Sequence, residues 1–200
     1  MSFRVEEKYN VSRNKIFYLK NWLFKNKIYK IFPDRKISSL YLDNQMHQMY
    51  HESIEGIVPR HKLRIRFYND DFNNSYFERK ISSVEGRFKK VKKIDLNKIL
   101  KYGYFDKFYG KCNFILMISY DRSYFKYQNY RFTLDTNIKF YKKLPNSKFS
   151  KIPLKSNKCV LELKCKEIDK KNPFYEKINL EKIRFSKYCE GLQIILKKND

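Results

Sequence analysis

The chain has 200 residues, with 45 Lys and Arg against 21 Asp and Glu, a formal net charge of +24, and 42% hydrophobic and 18% aromatic content. That apolar content excludes a disordered basic tail, and the length fits one domain over residues 1–200. The charge opposes compaction and attracts polyanions: nucleic acid, an anionic membrane or polyphosphate.

Alanine is absent while Lys, Asn, Ile and Tyr abound, a bias of genomic character. The arrangement of the charges therefore says more than their number. Cys112, Cys159, Cys165 and Cys189 form no Cys-x-x-Cys pair, and with three histidines they make no zinc pattern. They read as reduced, mostly buried thiols of a cytoplasmic protein. The start of the chain enters a strand-like segment without a signal-peptide pattern. No uncharged run approaches the length of a bilayer span.

In chain order, Phe3 to Tyr9 alternates and reads as a strand. Ser12 is placed to cap a helix to about Asn26, with Ile16, Leu19 and Leu23 at helical spacing. Ile37 to Asp43 is a second strand, and His47 to Glu55 is ambiguous, with a short strand after a turn as one reading. Gly56 and Pro59 break the chain before a strand over Arg60 to Tyr68. The polar turn Asn69 to Asn74 joins it to Ser75 to Ser82 as a hairpin. A turn at Val84-Glu85-Gly86 leads into the basic run Arg87 to Lys93. Asp95 caps a short helix to about Lys101. Ile115 to Tyr124 and Tyr130 to Asp135 form a second hairpin around Gln128-Asn129, with Asn137 to Tyr141 extending or following it. A polar connection precedes the last strand, Val160 to Lys166. Asn179 is placed to cap a closing helix to about Glu190, which Gly191 ends. The sum is an α+β fold with a mainly antiparallel sheet.

Within Arg60 to Tyr68 the cations Arg60, Lys62, Arg64 and Arg66 alternate with Leu63, Ile65 and Phe67. Successive strand side chains point to opposite faces, so one face is a ladder of charge and the other is apolar. Taken alone, such a face belongs to solvent. The same pattern recurs in Glu6-x-Lys8, Glu78-x-Lys80 and Glu162-x-Lys164-x-Lys166, each with acid and base on one face. Arginine is chosen at positions 60, 64 and 66 in a lysine-rich chain, and its planar fork suits phosphate. A closed sheet holds such faces inside a wet tunnel with helices outside. Carboxylates add little to a nucleic-acid surface, whereas magnesium or manganese on a triphosphate uses one or two of them.

These residues resemble the triphosphate tunnel metalloenzymes, or CYTH-like superfamily, and most closely the VTC domain, the polyphosphate polymerase domain of the vacuolar transporter chaperone complex and its bacterial homologues. The resemblance runs over Phe3-Arg-Val-Glu-Glu-Lys-Tyr9, Ser39-Leu-Tyr-Leu-Asp43, Pro59 to Tyr68, Phe77-Glu-Arg-Lys80 and Gly86 with its trailing lysines. It continues through Tyr120-Asp-Arg122, Arg131-Phe-Thr-Leu-Asp135, Leu161-Glu-Leu-Lys164 and Phe185-Ser-Lys-Tyr188. It implies antiparallel strands closed into a tunnel around a nucleoside triphosphate or polyphosphate. Arg64 and Arg66 match the paired catalytic arginines, Glu162 the metal glutamate and Lys187 the lysine of the closing helix. Lys8, Lys62, Lys80, Arg122, Arg131 and Lys164 are expected on phosphate. Lys90 is a looser match, with Lys89, Lys92 and Lys93 in competition. Glu6 and Glu78 are further candidates for the Mn²⁺ or Mg²⁺, Glu78 equally for an ion pair. Arg4 stands where many tunnel triphosphatases carry a first glutamate, which favours the VTC branch.

The reaction this implies is transfer of the terminal phosphate of ATP to a growing polyphosphate chain. With water as acceptor the same site is a triphosphatase, acting on inorganic or nucleoside triphosphate. Without turnover it is a polyphosphate- or nucleotide-binding module. The expected partners are ATP or inorganic triphosphate and polyphosphate, with no specific nucleic acid, and a separate membrane protein as a possible companion. Tyr41 and Asp43 are candidates for ligand contact or for packing. His47, His51 and His61 form no triad with a Ser or Cys, and His61 falls on the apolar side of its strand.

Overall fold

Alternation in sequence becomes alternation of faces throughout the sheet. The computed structural model describes residues 5–145, 148–166 and 180–197. The expectations resting on Arg4 and on the Asn179 cap lie outside them, but the closing helix expected from there begins only at Lys187, with Ser186 as its cap and a short strand at Glu181–Lys182 before it. Among the described residues, eleven strands and four helices follow in the order β1 (Val5–Val11), α1 (Lys15–Lys25), β2 (Tyr29–Asp43), α2 (Gln48–Glu55), β3 (Arg60–Tyr68), β4 (Tyr76–Ser83), β5 (Gly86–Lys93), α3 (Leu96–Tyr102), β6 (Tyr104–Asp106), β7 (Gly110–Tyr127), β8 (Tyr130–Lys142), β9 (Leu154–Lys155), β10 (Cys159–Cys165), β11 (Glu181–Lys182) and α4 (Lys187–Leu196). The fold is α+β with a mainly antiparallel sheet, as the sequence implies. The strand path β11-β1-β10-β8-β7-β2-β3-β4-β5 is open. The expected closure into a barrel is not seen: among the described residues no pairing joins β11 to β5. The terminal strand β11 offers only two residues for pairing. No helix among the described residues is long and apolar enough to cross a membrane.

The chain divides into two compact units. The first comprises Met1–Arg35, Tyr120–Ile138 and Ser156–Phe185. In it β1 pairs with β10 and β11, and β10 with β8, all antiparallel. The apolar face gathers Tyr9, Val11, Phe125, Phe132, Leu134, Leu161 and Leu163, covered by Leu19 and Leu23 of α1. Burial of that face is the main stabilising term of the unit, at about 1.5–3 kcal/mol per large side chain. Helix α1 starts later than Ser12: the Ser12 hydroxyl donates to Asn14 Oδ1 (2.6 Å), and the cap residue Asn14 makes no side-chain bond to the helix. The four cysteines are free and buried, as expected.

The second unit comprises Lys36–Ser119, Lys139–Lys155 and Ser186–Asp200. Here β2, β3, β4 and β5 pair in sequence order; β3 has the anticipated limits, and β4 lies one residue later than expected. Ile37, Leu40, Leu42, Leu63, Ile65, Phe67 and Phe77 are buried along these strands. The Val58–Pro59 bond before β3 is cis. Asp95 caps α3 as expected, accepting from the Lys98 backbone N–H (3.2 Å).

Further segments differ from the sequence expectation, among them β2, which begins at Tyr29 and not at Ile37. His47 to Glu55, ambiguous in sequence with a strand as one reading, contains α2. The Asp43 carboxylate, itself at the end of β2, accepts from the backbone N–H groups of Met49 (3.1 Å) and Tyr50 (3.0 Å). It thereby satisfies donors that a helix start leaves open. Gly191, expected to end the last helix, lies inside α4. A Cβ there would approach Phe140 Cδ1 to 2.5 Å and Leu116 Cδ2 to 2.9 Å. The glycine is therefore a close-approach residue of the α4 packing. Gly191→Ala is expected to lower stability by about 1–3 kcal/mol through overpacking, read as the shift in the urea midpoint. An unchanged midpoint removes this account of the glycine.

Candidate functional site

In the second unit, the charged face of β3 lies beside those of β4 and β5. The register sets Lys62 opposite Lys80, and Lys80 opposite Lys89. Three lysines thus form one row across three strands, although like charges directly opposite each other are destabilising. The next row is Arg64 opposite Glu78. Glu78 is 5% exposed and Arg66 8% exposed, so this is not the solvated face that a single strand suggests. Glu78 accepts from Arg64 Nε at 2.7 Å, and Arg66 Nη1 and Lys89 Nζ stand 3.8 and 3.3 Å from the carboxylate. Burial pushes this carboxyl up, but Arg64, Arg66 and Lys89 outweigh it and hold it at about 2. The ion-pair alternative for Glu78 is what the geometry displays, with both oxygens engaged by cations.

Arg64 is held on a second side by Tyr41, whose hydroxyl oxygen accepts from Nη1 at 3.0 Å. The Tyr41 ring stacks on Tyr188 of α4 at 5.1 Å, with an interplanar angle of 9°. The Tyr188 hydroxyl in turn donates to Asp43. Tyr41 and Asp43 thus act by packing and positioning: they fix the first turn of α4 against β2 and orient Arg64. Ser186, the cap of α4, also accepts from Lys62 Nζ (2.9 Å). Lys187 opens that first turn, directly after Ser186, and is half-buried.

Lys90 falls on the other face of the hairpin, opposite Arg79. Lys89, one residue earlier, occupies the charged face with Arg64 and Glu78. Arg79 belongs to a separate buried pair with Asp106. His61 is also buried there, between the rings of Phe108 (5.1 Å) and Tyr109 (5.4 Å), as its apolar position implies.

The first unit carries a charged face of its own. Glu6 lies opposite Lys164, Lys8 opposite Glu162, and Lys164 opposite Arg131. Lys164 Nζ is 2.7 Å from Glu162 and 3.9 Å from Glu6, and Lys8 Nζ is 3.6 Å from Glu6. Burial pushes the Glu162 carboxyl up, but Lys164, Arg122 and Lys8 hold it well below the usual carboxylate range. Lys8 Nζ also donates to the Phe185 carbonyl (2.8 Å).

Arg122 is committed to a residue outside the expected site. Its Nε and Nη2 bond the two oxygens of Asp135 at 2.5 and 2.7 Å, a bidentate pair across the β7–β8 hairpin. Its guanidinium stands 3.8 Å from Glu162 and over the Tyr120 ring at 5.2 Å. Asp135 is fully buried. Arg122 thus orients Glu162 more than it reaches outward. Arg131 is exposed and lies over the rings of Phe32 (6.0 Å) and Tyr124 (5.9 Å).

For a metal, the relevant donors are Glu6 and Glu162, both within reach of Lys164. Among the described residues no group of three His, Cys, Asp or Glu gathers to hold an ion by itself. Two carboxylates suit Mg²⁺ or Mn²⁺ that keeps most of its ligands as phosphate and water oxygens.

The model of the VTC domain family matches residues 3–111 and 98–196, nearly the whole chain. Among curated proteins none matches the sequence. Among solved structures, the PH1819 protein from Pyrococcus horikoshii OT3 is similar with a TM-score of 0.52 and 12% identity, over 98% of this chain and 99% of that one. The PH1012 protein of the same organism gives a TM-score of 0.49 and 15% identity, over 98% and 87% of the respective chains. At these identities the first likeness concerns the fold. With its sequence motifs in family order over both matched stretches, the chain belongs to the VTC domain family.

Proposed function

We propose that this chain is a polyphosphate polymerase-like phosphotransferase. It binds ATP and a polyphosphate chain on its cationic sheet faces, and transfers the terminal phosphate of ATP to the chain end. The observation that carries the reading is the row Lys62, Lys80 and Lys89 beside the half-buried Arg64 and the buried Arg66. A row of like charges across neighbouring strands raises the energy of the empty protein and lowers it once a linear polyanion lies along the row. Phosphoryl transfer asks mainly for positioning and charge neutralisation, which such a face supplies. Arg64 and Arg66 neutralise charge spreading onto the transferred phosphoryl group. Lys62, Lys80, Lys89 and Lys187 hold the chain, and Lys8, Arg131 and Lys164 offer further phosphate contacts. Glu162 with Glu6 would hold Mg²⁺ or Mn²⁺, which when bound draws negative charge from the phosphate oxygens. The closed tunnel of the resemblance is part of this reading and not of the observed fold. Neither cluster depends on it, because each is assembled within its own stretch of sheet.

The test is incubation of the purified protein with ATP and Mn²⁺, followed by gel analysis of the products. Polyphosphate ladders are expected. Release of phosphate without polymer makes the protein a triphosphatase, and retained polyphosphate binding without either product makes it a binding module.

A further inference from the structure

Helix α1 carries a second apolar face that the fold does not use. Leu19 and Leu23 are buried, and Ile16 and Trp22 pack half-buried against the same core. At 3.6 residues per turn, Phe17 and Phe24 fall on the opposite side. They are 68% and 84% exposed, and Tyr18 is 72% exposed with its ring against that of Phe17. Exposed lysines surround them: Lys15, Lys20, Lys25 and Lys27. Between Glu7 and Asp34 the chain has no acidic residue. An exposed cluster of large aromatic rings is an unfavourable surface in water and marks a contact.

We infer that this face of α1 docks onto the surface of an anionic lipid bilayer. The rings of Phe17 and Phe24 enter the boundary between headgroups and acyl chains, and the lysines remain among the headgroup phosphates. Two features select this occupant. A second copy of the chain would bring the same acid-free, lysine-rich face against itself, and like charges oppose that pairing. A nucleic-acid strand needs rings spaced for successive bases, whereas Phe17 and Phe24 are two helical turns apart, about 10 Å. An aromatic stripe flanked by lysines on a helix too short to span is the form of an interfacial helix. Each lysine near an anionic surface adds attraction, and the rings add burial that a purely electrostatic contact lacks. The docking does not rest on the proposed phosphate chemistry, since none of these residues belongs to that site.

The test uses the full chain with vesicles of phosphatidylcholine alone or mixed with phosphatidylglycerol. Trp22 is the single tryptophan and sits on α1, so its emission reports on this helix. Expected are co-sedimentation with the anionic vesicles only, and a change in Trp22 emission. F17S/F24S is expected to bind at least about tenfold more weakly with an unchanged melting temperature. K20E/K25E is expected to lose binding as well. The inference is overturned by absence of binding. It is equally overturned if F17S/F24S sediments like the wild type, since the general positive charge then accounts for the attraction. Aromatic-dependent binding of a single-stranded oligonucleotide, or aromatic-dependent dimerisation by light scattering, without vesicle binding, overturns it in favour of those partners.

Discussion

Replacing Arg64 and Arg66 together by alanine is expected to weaken triphosphate and polyphosphate binding by about hundredfold or more and to abolish turnover. Charge-assisted hydrogen bonds contribute about 1.5–3 kcal/mol each, and two of them account for a change of that size. The same replacement leaves Glu78 buried, facing Lys89, and removing a partner from a buried ion pair costs about 3–5 kcal/mol. Loss of activity in R64A/R66A alone is therefore mixed with loss of fold. Adding Glu78→Gln separates the two. The triple variant no longer buries an uncompensated carboxylate, so its stability is expected to recover while its binding does not. The acid limb provides a second readout. Glu78 is held at about 2 against its ordinary 4.5. A carboxyl depressed in the folded state contributes stability above its unfolded pKa, and that contribution, about 3 kcal/mol here, is lost as pH falls toward the folded value. Wild-type protein should lose it between about pH 5 and pH 2, and every variant carrying Glu78→Gln should lack that part of the curve. A triple variant that melts like the wild type and still binds triphosphate with wild-type affinity would falsify the assignment of Arg64 and Arg66.

The strand that carries these arginines was legible because period-two alternation is local. Arg60 to Tyr68 shows it without help from any other residue, and its hairpin partner follows after one polar turn. The row of lysines across three strands is a property of register, which no single strand contains. The choice between Lys89 and Lys90 shows the same limit. In Arg87-Phe88-Lys89-Lys90-Val91-Lys92-Lys93 lysines occupy both faces, so the sequence holds no alternation to read. Only the pairing with β4 sends Lys89 toward Glu78 and Lys90 toward Arg79. Helix α2 was missed because its decisive cap is Asp43, which lies in the preceding strand and reaches over the turn to Met49 and Tyr50. Gly191 was misread because a glycine that admits Phe140 and Leu116 looks, in sequence, like one that stops a helix. Asp135 ended a recognised strand, but its role as the anchor of Arg122 depends on the β7–β8 hairpin. Burial of the charged residues was the least legible feature: alternation says which residues share a face, not what covers that face.

Glu162→Gln tests the metal half of the proposal. Glu162 is 7% exposed and engaged by Lys164 at 2.7 Å and Arg122 at 3.8 Å. Glutamine keeps the volume and removes one negative charge, while Arg122 retains its bidentate bond to Asp135, so the strands should hold their places. Lys164 and Lys8 then face a neutral side chain, and the unit becomes more cationic. Metal-free triphosphate binding is therefore expected to persist or tighten, as measured by calorimetry in chelator. Mn²⁺ is expected to bind wild type together with triphosphate and weakly on its own, since two carboxylates leave most of its coordination to phosphate and water. In Glu162→Gln the enhancement of metal binding by triphosphate should disappear, with turnover down by about hundredfold, equivalent to about 3 kcal/mol of barrier. The two readouts move in opposite directions, which loss of fold cannot mimic: unfolding removes anion binding along with activity. If triphosphate still recruits Mn²⁺ to the variant as it does to the wild type, Glu162 is not a metal ligand. Its place between Lys8, Lys164 and Arg122 is then that of a counter-ion holding three cations on one face of the sheet.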